Sequence, residues 1–269
     1  MLRKRFLAGG SMSLWRSLLL VVLALVCYFA VQECVSFFIV RILALYVGIG
    51  GEQPAQMTGG YTLTVSLIAN ALTIPALYVL FYDRSTYRAP VRLSLLWNVL
   101  FGCCLCVSLN MLISVFRLSE LFPTYTEVSE HFFVGSLWLE LLTIGVVSPF
   151  LEELLFRGIM YKEFRSCAGS RLAMLLSALI FGAMHMNMLQ FLYASVLGLC
   201  LAWVYERYQS LWAPYLVHAA ANIFSVVITE NETVQRFLSS GFGAVFTIVL
   251  LTGALWAPVF IVRSTRKEL

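Results

Sequence analysis

The chain has 269 residues, of which 61% are hydrophobic and only 12% charged, and its mean hydropathy is +0.87. This balance excludes an ordinary water-soluble domain of that length and argues for an all-α, polytopic integral membrane protein. The net charge of +4 does not mark a nucleic-acid binder, because the basic residues are scattered through short loops and form no stripe with interleaved aromatics.

Apolar segments of about 20 residues, the length that spans ~30 Å of hydrocarbon, predict about eight transmembrane helices: roughly 15–35, 61–82, 95–116, 134–156, 172–188, 189–206, 212–229 and 241–262. An even number puts both termini on one side. With the N- and C-termini cytoplasmic, Arg3, Lys4, Arg5, Arg16, Arg84, Arg88, Arg92, Arg157, Lys162, Arg165, Arg171, Arg207, Arg263, Arg266 and Lys267 lie inside, and only Arg41, Arg117 and Arg236 outside. That bias follows the positive-inside rule through every loop. The loop with Glu120, Glu127, Glu130 and His131 falls outside. Glu33 and Arg41 mark the outer end of the first helix, and Glu140 that of the fourth.

The first span follows a basic cluster, as a signal peptide does, but it is long and lacks a small-x-small cleavage site, so it reads as uncleaved. Ala24, Leu25 and Val26 before Cys27 do not make a lipidation site. Asn70 and Pro75 in the second span read as a kink. Nearly all of the seven cysteines lie inside spans, so no exported disulfide framework is expected, and Cys103, Cys104 and Cys106 read as helix packing. There is no internal repeat, and the chain reads as one transmembrane domain over 1–269.

The fourth span carries Pro149, whose ring should loosen the helix near Gly145, and then Glu152, Glu153 and Arg157. Ionisable groups at membrane depth require partners or a wet cavity. Glu153 and Arg157 stand at i and i+4 with the acid N-terminal, so they should pair. Neighbouring helical residues point about 100° apart, which leaves Glu152 to face elsewhere. The fifth span carries Phe181 and His185, with Gly182 and Ala183 allowing close helix approach. Counted from a turn near 166–170, Glu152 and His185 lie at equal depth in an antiparallel hairpin, roughly 21–23 Å from it at 1.5 Å per residue. The seventh span places His218 and Asn222 on one face, at compatible depth.

A carboxylate, two imidazoles and a carboxamide at one level suit hydrolysis by an activated water. An acid or histidine takes the proton, and a histidine and an asparagine can donate to the oxyanion. The competing chemical reading is a divalent metal such as zinc held by Glu152, His185 and His218, although no H-E-x-x-H pair is present.

Glu152-Glu153-x-x-x-Arg157, Phe181-x-x-x-His185 and His218-x-x-x-Asn222, in this order on consecutive late spans, resemble the three motifs of the CaaX-protease and bacteriocin-processing (CPBP, or Abi) intramembrane proteases, which include the Ras-converting type of CaaX endoprotease. The resemblance covers about residues 134–229. It implies a peptidase site within the membrane near the cytoplasmic face. By that resemblance Glu152 works with His185 on water, His218 and Asn222 bind the oxyanion, and Glu153 and Arg157 are the accompanying acid and arginine. Members of the family have been described both as metal-dependent and as metal-independent glutamate peptidases.

The expectation is therefore a multi-pass cell-membrane endopeptidase with its catalytic core at about 134–229. Its partners would be membrane lipids and a peptide or protein substrate, with no nucleic acid. Two other readings compete: a non-catalytic scaffold or bacteriocin-immunity protein that keeps the polar cluster for packing or partner binding, and a transporter using Glu and His as a proton relay. A cavity reaching Glu152 and His185 favours the peptidase, whereas a filled, sealed cluster favours the scaffold.

Overall fold

The computed structural model describes residues 14–47, 59–83, 94–122, 136–238 and 240–266. Arg3, Lys4, Arg5, Arg84, Arg88, Arg92, Glu127, Glu130, His131 and Lys267 lie outside the described residues. The described regular elements are all helical: α1 (Leu14–Val47), α2 (Gly59–Leu80), α3 (Ser94–Val115), α4 (137–161), α5 (Lys162–Ala183), α6 (Met188–Tyr208), α7 (Trp212–Glu230) and α8 (Gly241–Arg266), with short helical turns at Leu118–Leu121 and Glu232–Leu238.

Six of these, α1, α2, α3, α6, α7 and α8, are long and apolar enough to cross a membrane. The other two predicted spans are helical but of a different kind. Helix α4 continues past the expected 156 to Tyr161 and carries four acidic or basic residues, Glu140, Glu152, Glu153 and Arg157. Helix α5 breaks at Gly169, whose φ of 79° suits glycine, and its second half ends at Ala183, fourteen residues on. That is about 21 Å of helix, short of the ~30 Å of hydrocarbon. The two form an internal hairpin: the Phe156 and Phe181 rings meet edge to face at 5.1 Å, thirteen residues before Gly169 and twelve after it. Because residues 151–161 of α4 are almost all buried by neighbouring helices, that stretch need not be apolar, whereas α5 leaves Leu172, Leu175 and Leu179 exposed. Glu140, expected at an outer helix end, is instead fully buried at the start of α4. The first helix also runs further than expected, to Val47.

The fifth predicted span, 172–188, joins what are two elements. After Ala183 the chain turns through His185 and Met186, which has φ 54°. Asn187 then starts α6, its side-chain oxygen accepting from the Leu189 and Gln190 amides at 3.1 and 3.2 Å. This is an N-cap, and it fixes His185 in a turn rather than inside a helix.

Lipid offers no hydrophobic drive between helices, so close packing must hold them. A Cβ on Gly182 of α5 would overlap Ser195 Oγ and the Phe191 carbonyl of α6, and one on Gly102 of α3 would overlap the Val217 carbonyl of α7. One buried cluster joins α1, α2 and the α4–α5 hairpin through Ala24, Leu77, Leu151, Leu155 and Phe181. A second joins α3, α6, α7 and α8 through Phe101, Leu201, Val217 and Ile261. At the far end of the hairpin Glu206 accepts from Tyr161 Oη at 2.6 Å and from both Arg165 Nε and Nη2, at 2.8 and 2.9 Å. Those bonds hold the Arg165 guanidinium above its ordinary pKa.

Candidate active site

Helix α4 is unusual in its backbone. Two π-helical stretches, Leu141–Val147 and Leu154–Tyr161, flank the hexapeptide Ser148–Glu153 that carries both carboxylates. Such widened turns favour functional positions because they re-aim side chains and free carbonyls. In the first stretch the Ser148 amide reaches back five residues to the Thr143 carbonyl. In that register the next donor, due to the Ile144 carbonyl, is residue 149, a proline with no N–H. The Ile144 carbonyl is taken instead by Asn222 Nδ2 of α7, at 2.9 Å. Pro149 thus acts as expected in loosening the helix, and it also creates the acceptor that anchors a motif residue.

Glu153 and Arg157 pair at 3.0 Å with both side chains buried, as their spacing predicts. The guanidinium also donates to the Gly198 carbonyl of α6 at 2.8 Å and lies over the Phe181 ring at 4.9 Å. Glu153 does more than meet Arg157: the same Oε1 takes His218 Nδ1 at 3.0 Å. A carboxylate held by arginine accepts, so Nδ1 carries the proton and Nε2 is the atom turned toward the site. Glu152 Oε2 lies 3.7 Å from that Nε2. This is long for a direct hydrogen bond but within reach of one bridging water. The Glu152 side chain is 26% exposed, against 1% for Glu153, so the two neighbours occupy opposite environments.

His185 is fixed by the helix end. Its own amide bonds the Gly182 carbonyl, which leaves the Phe181 carbonyl to His185 Nδ1 at 3.0 Å. A carbonyl only accepts, so Nδ1 is again the protonated nitrogen and Nε2 is unspent. Glu152, His185, His218 and Asn222 all line one cavity of about 290 Å³. Among the described residues Glu152 pairs with His218 and not with His185, which lines the same cavity.

A metal would require the donors to converge. Among the described residues no three His, Cys, Asp or Glu side chains do so. Glu152, His185 and His218 as placed therefore do not fit a metal.

The polar residues of the first two spans hold a further surprise. Asn70, read as a kink, donates to Ser148 Oγ at 2.8 Å and accepts from Gln32 Nε2 of α1, also at 2.8 Å. Ser148 lies one turn before Glu152. The available signal was that an amide in an apolar span demands a partner; what could not be read was that the partner lies 78 residues away, beside the site.

Residues 134–224 match the family model described as "Type II CAAX prenyl endopeptidase Rce1-like". Over 100 residues, 37% of this chain, it is 32% identical to the Bacillus subtilis protein named "Putative membrane peptidase YdiL", covering 41% of that protein. It is 33% identical over 110 residues to an Escherichia coli protein named "Uncharacterized 24.3 kDa protein", 39% of this chain and 51% of that one. The Lactococcus lactis "UPF0177 protein YxdF" shares 29% over 82 residues, 30% of this chain and 45% of its own length. The matches thus span about half the length of these relatives or less. No solved structure matches the chain. With the family match laid over the helices that carry all three motifs, the chain is a multi-pass membrane protein whose segment 134–224 is similar to the Rce1-like CAAX endopeptidases.

Proposed function

We propose that the chain is an intramembrane endopeptidase that hydrolyses a peptide bond of a membrane-associated substrate with water activated by Glu152 and His185. The observation that carries this reading is the contrast between the two adjacent glutamates. Glu153 is buried with its Oε1 engaged by both Arg157 and His218, whereas Glu152 opens onto a cavity that both histidines also line, each with its Nε2 unspent. A sealed scaffold would have no use for that arrangement.

In the proposed reaction a water held between Glu152 and His185 loses a proton to Glu152 as its oxygen adds to the scissile carbonyl. The oxyanion is met by the second N–H of the Asn222 carboxamide and by His218, whose unspent Nε2 shares the proton that Glu152 has taken. The first N–H is already engaged with Ile144. Collapse expels the amine, which takes the proton from Glu152, directly or through His185. Glu153 and Arg157 touch neither substrate nor water; they set the tautomer and orientation of His218. All 269 residues act as one domain, with the core at about 134–229, the termini in the cytoplasm and the site near the inner leaflet.

Replacing Glu152 with Gln keeps size and hydrogen bonding but removes the base. In reconstituted vesicles, cleavage of membrane peptides followed by mass spectrometry should fall by ~10²–10⁴. Turnover at the wild-type rate would sink the reading. His185→Ala should lose activity to a similar degree while the protein still folds.

A further inference from the structure

Glu152 and His185 line not one chamber but two. The second, of about 310 Å³, opens on the other side of Glu152, between α1, α2 and the α4–α5 hairpin. It has the volume of about ten waters at ~30 Å³ each, far more than hydrolysis of one bond calls for. Its wall sets polar side chains among apolar ones and is almost uncharged. Among the described residues that line it, Glu152, His185 and Tyr28 are the ionisable ones, and no lysine or arginine is among them.

What faces the chamber instead is amide chemistry. Gln32 and Asn70 are joined by a 2.8 Å hydrogen bond, Gln32 also donates to Thr73 Oγ1 at 3.1 Å, and Asn70 donates to Ser148 Oγ at 2.8 Å. Both N–H groups of Gln32 are thereby spent and its carbonyl oxygen is left over, while Asn70 retains one N–H. Gln190, in the first turn of α6, lines both chambers, and its carboxamide bonds no described residue. Leftover donors and acceptors in apolar surroundings are costly unless something fills them. A peptide main chain, with one donor and one acceptor per residue, is the matching ligand.

We propose that this second chamber is a substrate subsite. Gln32, Asn70 and Gln190 bind the main chain and neutral polar side chains of the residues on one side of the scissile bond, and an acidic residue there is rejected. The exclusion follows from charge. A carboxylate in the chamber would lose its water, find no cation and stand beside Glu152. Gln32 and Asn70 lie outside the 134–224 segment that matches the family model, so the subsite makes selectivity a property of this chain's own first two helices. It rests on the peptidase reading above.

The test uses the full-length protein in phosphatidylethanolamine and phosphatidylglycerol vesicles. The probe is a synthetic library of one-span peptides whose juxtamembrane positions carry neutral residues plus either Asn or Asp, with cleaved bonds mapped by mass spectrometry. On one side of the cleaved bond Asp should be at least tenfold depleted relative to Asn, with no such bias on the other side. Gln32→Lys, which adds the missing cation, should reverse the bias on that side alone. Gln190→Leu, the variant to use if Gln32→Lys does not fold, should reduce the Asn preference about tenfold.

Unchanged selectivity in a folded Gln32→Lys and in Gln190→Leu overturns the subsite while leaving the peptidase intact. If the wild type cleaves nothing in the library, the peptidase reading fails instead. The subsite is then judged by retention of the same peptides on the Glu152→Gln variant. Tenfold stronger retention of Asn over Asp peptides that is lost in Gln190→Leu supports it, and equal retention overturns it.

Discussion

Arg157 shows how one side chain can matter to activity without touching a substrate. It is wholly buried, and its bonds reach Glu153 on its own helix and the Gly198 carbonyl on α6, while its plane covers Phe181 on α5. Through Glu153 it governs the ring of His218 on α7. Removing one member of a buried pair strands the other, at about 3–5 kcal/mol. Arg157→Ala should therefore lower unfolding stability in detergent by roughly that amount and abolish activity. Arg157→Lys keeps the charge but loses the planar fork, so it should recover part of the stability. An Arg157→Ala protein as stable as the wild type would contradict this account.

At this scale the sequence was a good guide to local pairs and a poor one to distant ones. The Glu153–Arg157 pair is legible because i and i+4 neighbours meet whatever surrounds them. That Glu153 also orients His218 is a tertiary fact, and no spacing encodes it. The same holds for Asn70, whose role depends on which residues of α1 and α4 face it.

Among the elements, α4 carries the largest departure from a regular pattern. Its first widened turn cannot be read from propensity, because it depends on Pro149 and on Asn222 arriving from another helix. Pro149→Ala would restore an N–H that can satisfy the Ile144 carbonyl within α4. Asn222 then loses its anchor. Since a hydrogen bond of this kind contributes ~0.5–1.5 kcal/mol, kcat/KM should fall by up to about tenfold, with thermal stability kept or raised. Full activity in this variant would separate Asn222 from its Ile144 bond. The end of α5 was missed for a different reason: Met184, Met186 and Met188 keep the hydropathy high across the turn, masking the Asn187 cap that begins α6.

For the whole molecule, composition settled the class, a polytopic helical membrane protein, but apolar length alone misjudged two segments. The 151–161 stretch of α4 is enclosed by the other helices, so its residues answer to protein neighbours, and α5 is shorter than the bilayer is thick. Topology is directly checkable. In a background lacking Cys34 and Cys167, a cysteine replacing the exposed Asn231 should react with a membrane-impermeant maleimide on intact cells. One replacing the exposed Arg171 should react only after lysis. The opposite result would invert the orientation.

The Glu153–His218 bond has a consequence for how this protein is made. Its two ends are 65 residues apart, so at ~5–20 residues per second the ribosome needs about 3–13 s to supply the second after the first. Throughout that interval the charged hairpin lacks its α7 partner and cannot be released into bare lipid. Biogenesis must therefore shelter it in the translocon or at the aqueous interface until a late helix docks onto an early one.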